Sequence, residues 1–174
     1  SIRDDAHYGG ARVVIHGALA TAVVHFHVDV NIGDPLWPPP EEVELPRILG
    51  GPPVRLRGYS VELIIAEKVV TALQRGTANT RWRDFVDVVQ LSDQPLDVDA
   101  TVESIRRVAA FRGVAVQPLR DVLAGYPEIA ETKWAAWRRK QHLTATTPAS
   151  FADLLDQLID LADPLLQRAA SSAR

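Results

Sequence analysis

Between Tyr59 and Leu91 the chain reads YSVELIIAEKVVTALQRGTANTRWRDFVDVVQL, which sets Lys68, three arginines (Arg75, Arg81 and Arg83) and two aspartates (Asp84 and Asp87) into otherwise apolar surroundings. Those residue types suit the handling of phosphate. An ammonium neutralises phosphate oxygens as a point charge, a guanidinium grips them in pairs, and a carboxylate can orient either cation. The spacing adds to this. Lys68, Thr71 and Arg75 recur on one side of a helix, and Asp84 and Asp87 lie three apart on the polar side of the next, near Arg81 and Arg83. A plainer account fits the same letters: solvated helix residues, with two acids offsetting two arginines near a helix N-terminus.

A further carboxylate lies upstream in VVHFHVDVNIGDP. Val24, Phe26, Val28, Val30 and Ile32 alternate with His25, His27, Asp29 and Asn31, so the segment is expected as a strand with one dry and one polar face, Asp29 on the latter. A strand carboxylate can hold magnesium, a hard cation that takes carboxylate and phosphate oxygens and keeps several waters. The spacing His25-x-His27-x-Asp29 also admits a zinc site of the kind found in metallo-β-lactamase-like hydrolases, although Val30 stands where the closing histidine belongs.

The elements that must position these groups follow from local signals. Ser60 is a capping residue and Gly76 a terminating one, so a helix is expected over about Val61 to Arg75, with Lys68 beside the core and its ammonium pointing outward. Trp82, Phe85, Val86 and Val89 give the second helix its apolar stripe. Ala11 to His16 and Ala22 to Ile32 read as a hairpin around Gly17. The proline-rich stretch from Pro35 to Pro53 reads as a wrapping connection, and Val54 to Leu56 as a brief return to the sheet. Further helices are expected near Val102 to Phe111, Leu119 to Leu123, Glu128 to His142 and Phe151 to Ala170, the last kinked or divided by Pro164. The expected class is α+β: a small mixed or antiparallel sheet with the two motif helices in residues 1–95, then a helical bundle in 96–174.

With 174 residues, 47% of them hydrophobic, the chain can bury a real core. Without cysteine it has no disulfide, thiol catalysis or cysteine-bound zinc, and no apolar run approaches the roughly 20 residues of a membrane span. A cytoplasmic protein without a membrane partner is the expectation. The net charge of -3 excludes a wholesale cationic surface, but Lys133, Arg138, Arg139 and Lys140 cluster around Trp134 and Trp137. Such a helix can grip phosphates and stack bases; equally, its tryptophans can be core anchors and its cations a solvated face. The chain has no methionine, so it begins either after a removed initiator or within something longer, where an exposed sheet edge would invite a partner strand or a homo-oligomer.

The ordered run Ala66-Glu67-Lys68, Arg75-Gly76, Arg81, Arg83, Asp84 and Asp87 resembles the signature of the AbiEii/AbiGii-type nucleotidyltransferase toxins, MenT-like members included, and Val28 to Asp34 resembles that family's second motif. The resemblance implies a partial nucleotidyltransferase core in 1–95 and a nucleotidyltransferase toxin of a toxin–antitoxin system, moving a nucleotide from a nucleoside triphosphate to the 3′ end of tRNA, with a cognate antitoxin as partner. It makes Asp29, Lys68 and Asp84 the catalytic residues, Asp29 the magnesium ligand, and Arg75, Arg81, Arg83 and Asp87 the substrate-binding set. The family's first motif, a Gly-Ser turn before an Asp-x-Asp strand, is not found. Asp4 and Asp5 follow no such turn, and Asp97-x-Asp99 comes after the signature in a helix-capping context. The active site is therefore incomplete by this pattern, and the second expectation is a catalytically silent relative that binds antitoxin, RNA or a toxin chain.

Overall fold

The structure is a computed structural model that describes residues 10–171. Asp4 and Asp5 lie outside the described residues. The chain divides into two compact units, residues 1–35 and 36–174.

The first unit carries an antiparallel hairpin, β1 (Gly10–Leu19) with β2 (Ala22–Asn31). Its turn falls at Ala20–Thr21 rather than around Gly17, which sits inside β1 opposite Val24. Two-residue hairpin turns need positive φ, and here Ala20 takes it at 52°. The register sets Val13 against Val28 and Ile15 against Phe26 on one face, and Arg12 against Asp29 and His16 against His25 on the other. The expected dry face is half open: Phe26 is 50% and Val28 46% exposed. Alternation specifies which side chains share a face, but burial needs something packed over them.

The second unit opens with a hairpin that the prolines conceal. β3 (Glu41–Leu45) pairs antiparallel with β4 (Val54–Gly58) in a sheet of its own, so 35–53 is not merely a connection and 54–56 does not rejoin the first sheet. Glu44 pairs with Arg55 at 2.9 Å across this ladder. The preceding segment is fastened to the helices, Ser104 Oγ donating to the Trp37 carbonyl at 2.7 Å while the Arg107 guanidinium lies 4.4 Å from the Trp37 ring.

Six helices follow: α1 (Val61–Arg75), α2 (Trp82–Leu91), α3 (Val98–Arg112), α4 (Leu119–Val122), α5 (Tyr126–Lys140) and α6 (Phe151–Ser171). The fold is thus α+β, two small antiparallel sheets and a helical bundle. Ser60 Oγ accepts from the Leu63 amide, and Gly76 ends α1 at φ 52° with its amide bonded to the Ala72 carbonyl. α3 starts earlier than the apolar pattern suggests because Asp97 caps it, accepting from Ala100 N at 3.0 Å. Asp99 then falls in the first turn, where it pairs with Arg168. α6 runs undivided through Pro164. α1 packs on α2 and α3, and α6 lies against α2, α3, α4 and α5. Ile65, Val69, Phe85, Ile105, Trp134, Phe151 and Leu158 make the centre of the core, all 1% exposed or less.

Candidate active site

α1 and α2 meet with their polar residues turned toward each other. Leu63, Ala66, Val70 and Leu73 of α1 and Phe85, Val86 and Val88 of α2 go into the core, which leaves Lys68 facing the start of α2. Its ammonium is not directed outward as the periodicity suggests. Lys68 Nζ donates to Asp84 Oδ1 at 2.7 Å and to Asp87 Oδ2 at 2.9 Å, and its side chain is only 18% exposed. Nor is Asp84 on an open face, for it is buried and its second oxygen takes Arg81 Nε at 2.9 Å. Partial burial is the largest influence on Lys68 and pulls its pKa down, but its hydrogen bonds to Asp84 and Asp87 and their negative charges together outweigh it and hold the pKa above the ordinary lysine value.

Beside this group α3 contributes a second one that sequence reasoning missed. Arg112 pairs with Glu67 at 3.2 Å and donates to Thr71 Oγ1 at 2.9 Å, while Thr71 Oγ1 donates to the Glu67 carbonyl. Glu67 and Thr71 flank Lys68 on α1, so Arg112 ties α3 to the turn that carries the lysine. Arg112 stands just before the Gly113 cap, a place where cations are ordinary, and only the packing of α3 on α1 reveals the contact.

The turn between α1 and α2 is pinned from α5. Asn79 Oδ1 accepts from Arg81 N at 2.9 Å; the Tyr126 hydroxyl donates to the Asn79 carbonyl and accepts from Trp82 Nε1 at 3.0 Å. Burial is the main cause that raises the Tyr126 pKa, which keeps the phenol a donor. Asp163 was likewise unforeseen: buried in α6, it accepts from Leu119 N at 2.6 Å and Arg120 Nε at 3.0 Å and fixes α4. Its position before Pro164 gives no hint of this.

Among the residues predicted from sequence, Lys68, Arg81, Asp84 and Asp87 are therefore brought together. Arg75 and Arg83 are exposed, and their side chains make no ion pair among the described residues. Asp29 belongs to the other unit, where Arg12 holds both its oxygens, Nε at 2.6 Å and an η nitrogen at 2.7 Å. Those bonds lower the Asp29 pKa. The histidine pattern next to it folds into a side-chain pair instead, His25 Nδ1 lying 2.5 Å from His16 Nδ1.

A magnesium ion does not fit the described carboxylates as they stand. Asp29 is doubly engaged by Arg12, Asp84 is shared by Lys68 and Arg81, and no group of three His, Asp or Glu able to hold a metal occurs among the described residues.

The geometry of a lysine flanked by two aspartates, with arginines at the helix start, lies inside a stretch of 157 residues, 1–157, that matches the family model described as nucleotidyl transferase AbiEii toxin, type IV toxin–antitoxin system. The chain belongs to this AbiEii family. No curated protein and no solved structure matched it. No helix among the described residues is long and apolar enough to cross a membrane.

Proposed function

We propose that this AbiEii family member transfers a nucleotide from a nucleoside triphosphate to the 3′ end of tRNA and is restrained by a cognate antitoxin. One observation carries the reading. An ammonium has three N–H donors, and Lys68 commits two of them to Asp84 and Asp87, so one is left for a phosphate oxygen. Held between two helices, that cation is positioned before any ligand arrives, the arrangement that electrostatic catalysis of phosphoryl chemistry requires. In the reaction the RNA 3′-hydroxyl attacks the α-phosphorus and gives its proton to solvent, the new P–O bond forms as the α–β anhydride breaks, and pyrophosphate leaves. Lys68 offsets the charge on the phosphate oxygens, Asp84 and Asp87 orient Lys68, and the exposed Arg75 and Arg83 are available to the triphosphate or the RNA backbone. Arg81 acts through Asp84.

The alternative is a catalytically silent relative that binds antitoxin, RNA or a toxin chain. It is favoured by the state of the carboxylates, each of which already holds a cation. Incubation of the protein with Mg²⁺, each labelled nucleoside triphosphate in turn and total tRNA separates the two. Label on the RNA, abolished by Lys68→Ala, is the expected outcome; no transfer from any nucleotide establishes the silent reading.

A further inference from the structure

Most cations of this acidic chain are already matched. Arg12, Arg55, Lys68, Arg81, Arg106, Arg107, Arg112, Arg120 and Arg168 each pair with a carboxylate, and buried Arg138 donates to Thr147 Oγ1 and to the Thr144 and Thr147 carbonyls. By contrast, the side chains of Arg83, Lys133, Arg139 and Lys140 are exposed and make neither ion pair nor hydrogen bond among the described residues. Lys133, Trp137 and Lys140 stand at i, i+4 and i+7 along one stripe of α5, and the Arg83 guanidinium of α2 lies 5.9 Å from the centre of the Trp137 ring. Trp137 is half-buried, stacked on the buried Trp134 at 5.3 Å, so the aromatic support for this stripe is rigid.

The geometry points to this α5 stripe as a binding surface for the backbone of single-stranded RNA, with Lys133, Lys140 and Arg83 contacting its phosphates. From Lys133 to Lys140 the helix rises about 10.5 Å, so the two ammonium groups meet separate phosphates of one strand. A run of unpaired cations that tracks the backbone is what sequence-independent strand binding uses. Arg83 adjoins Asp84 in α2, so the stripe and the Lys68 group share that helix. In naming RNA rather than another polyanion the inference rests on the reading given under Proposed function.

The test is anisotropy of a labelled oligoribonucleotide titrated with the full chain in EDTA, without nucleotide, over a range of salt. Since no transfer can occur under these conditions, loss of binding and loss of transfer are read separately. The expected result is salt-dependent binding that Lys133→Gln with Lys140→Gln weakens about tenfold, lowering the slope of log affinity against log salt by roughly 1.4. Both lysines are exposed, and circular dichroism confirms that the variant keeps its fold. Arg47→Gln with Arg57→Gln, at the β3–β4 hairpin, is expected to bind as the parent does. Absence of binding at low salt, equal weakening by the two double variants, or displacement of the RNA by poly-glutamate as readily as by unlabelled RNA overturns the inference.

Discussion

The β1–β2 hairpin and the α1–α2 crossing use the same materials, an apolar face and a cation clasped by aspartate, in opposite surroundings. Arg12 and Asp29 meet at 2.6 Å with each side chain close to half exposed, whereas Lys68 and Asp84 meet at 2.7 Å with 18% and 10% of their side chains exposed. Phe26 is 50% exposed and Phe151 is 0%. Distance alone does not rank these contacts. In water the attraction of an ion pair is screened and its geometry costs side-chain entropy, while in a partly dry seam the same charges depend on each other because neither can return to solvent.

The sharpest way to break this comparison is at the aromatic pair. Phe151→Ala should cost about 3–5 kcal/mol, the range for emptying a packed core site, and lower the urea midpoint accordingly. Phe26→Ala should cost about 1 kcal/mol or less, since half of its surface is already in water. Comparable losses would mean that the hairpin face is covered in solution.

Next in size is Asp84→Ala, which leaves the Lys68 ammonium with one carboxylate in a partly buried seam. A loss of about 2–4 kcal/mol is expected, the value for breaking a buried pair discounted for residual exposure. Thermal unfolding measures it. A variant as stable as the parent would show that solvent reaches Lys68 freely.

Alkaline titration sharpens the same point. Because Lys68 binds its proton more tightly folded than unfolded, its contribution is complete below the ordinary lysine pKa of about 10.4 and is lost as pH rises through the higher folded value. The stability difference between the parent and Lys68→Met should therefore hold steady to about pH 10 and shrink above it. A constant difference would disconnect the charge from the stability.

The smallest effect belongs to the hairpin pair. Arg12→Ala should leave the urea midpoint within the scatter of the parent, and 0.5 M salt should erase any difference. Its visible sign is local. The Asp29 carboxyl, followed by carbon NMR, should titrate below the usual aspartate range in the parent and move up in the variant, the pair being lost as pH falls through the lowered value.

The sequence was legible where structure is set by neighbours in the chain. Ser60 and Gly76 bound α1, and the alternation of Val24 to Val30 gives β2, because caps and period-two patterns act within a few residues. It was less legible where the partner comes from elsewhere. The Lys68 contact with Asp84 spans sixteen residues and depends on which helix covers a polar face, something periodicity does not encode. Whether Arg12 meets Asp29 depends on a turn at Ala20–Thr21 that has no distinctive residues. β3 was hidden because the prolines around it outweigh five residues of alternation, although Glu42 and Glu44 facing Arg57 and Arg55 could have signalled it.

The two aspartates that steady Lys68 also limit what that side chain can recognise. With a single hydrogen left to give, it can register that an anionic oxygen has arrived, but it has no means of telling adenine from cytosine or one sugar from another. If Lys68 meets the triphosphate as proposed, any preference among nucleotides must be written in surfaces that touch the base, and exchanging this lysine would silence all four letters equally instead of altering the choice between them.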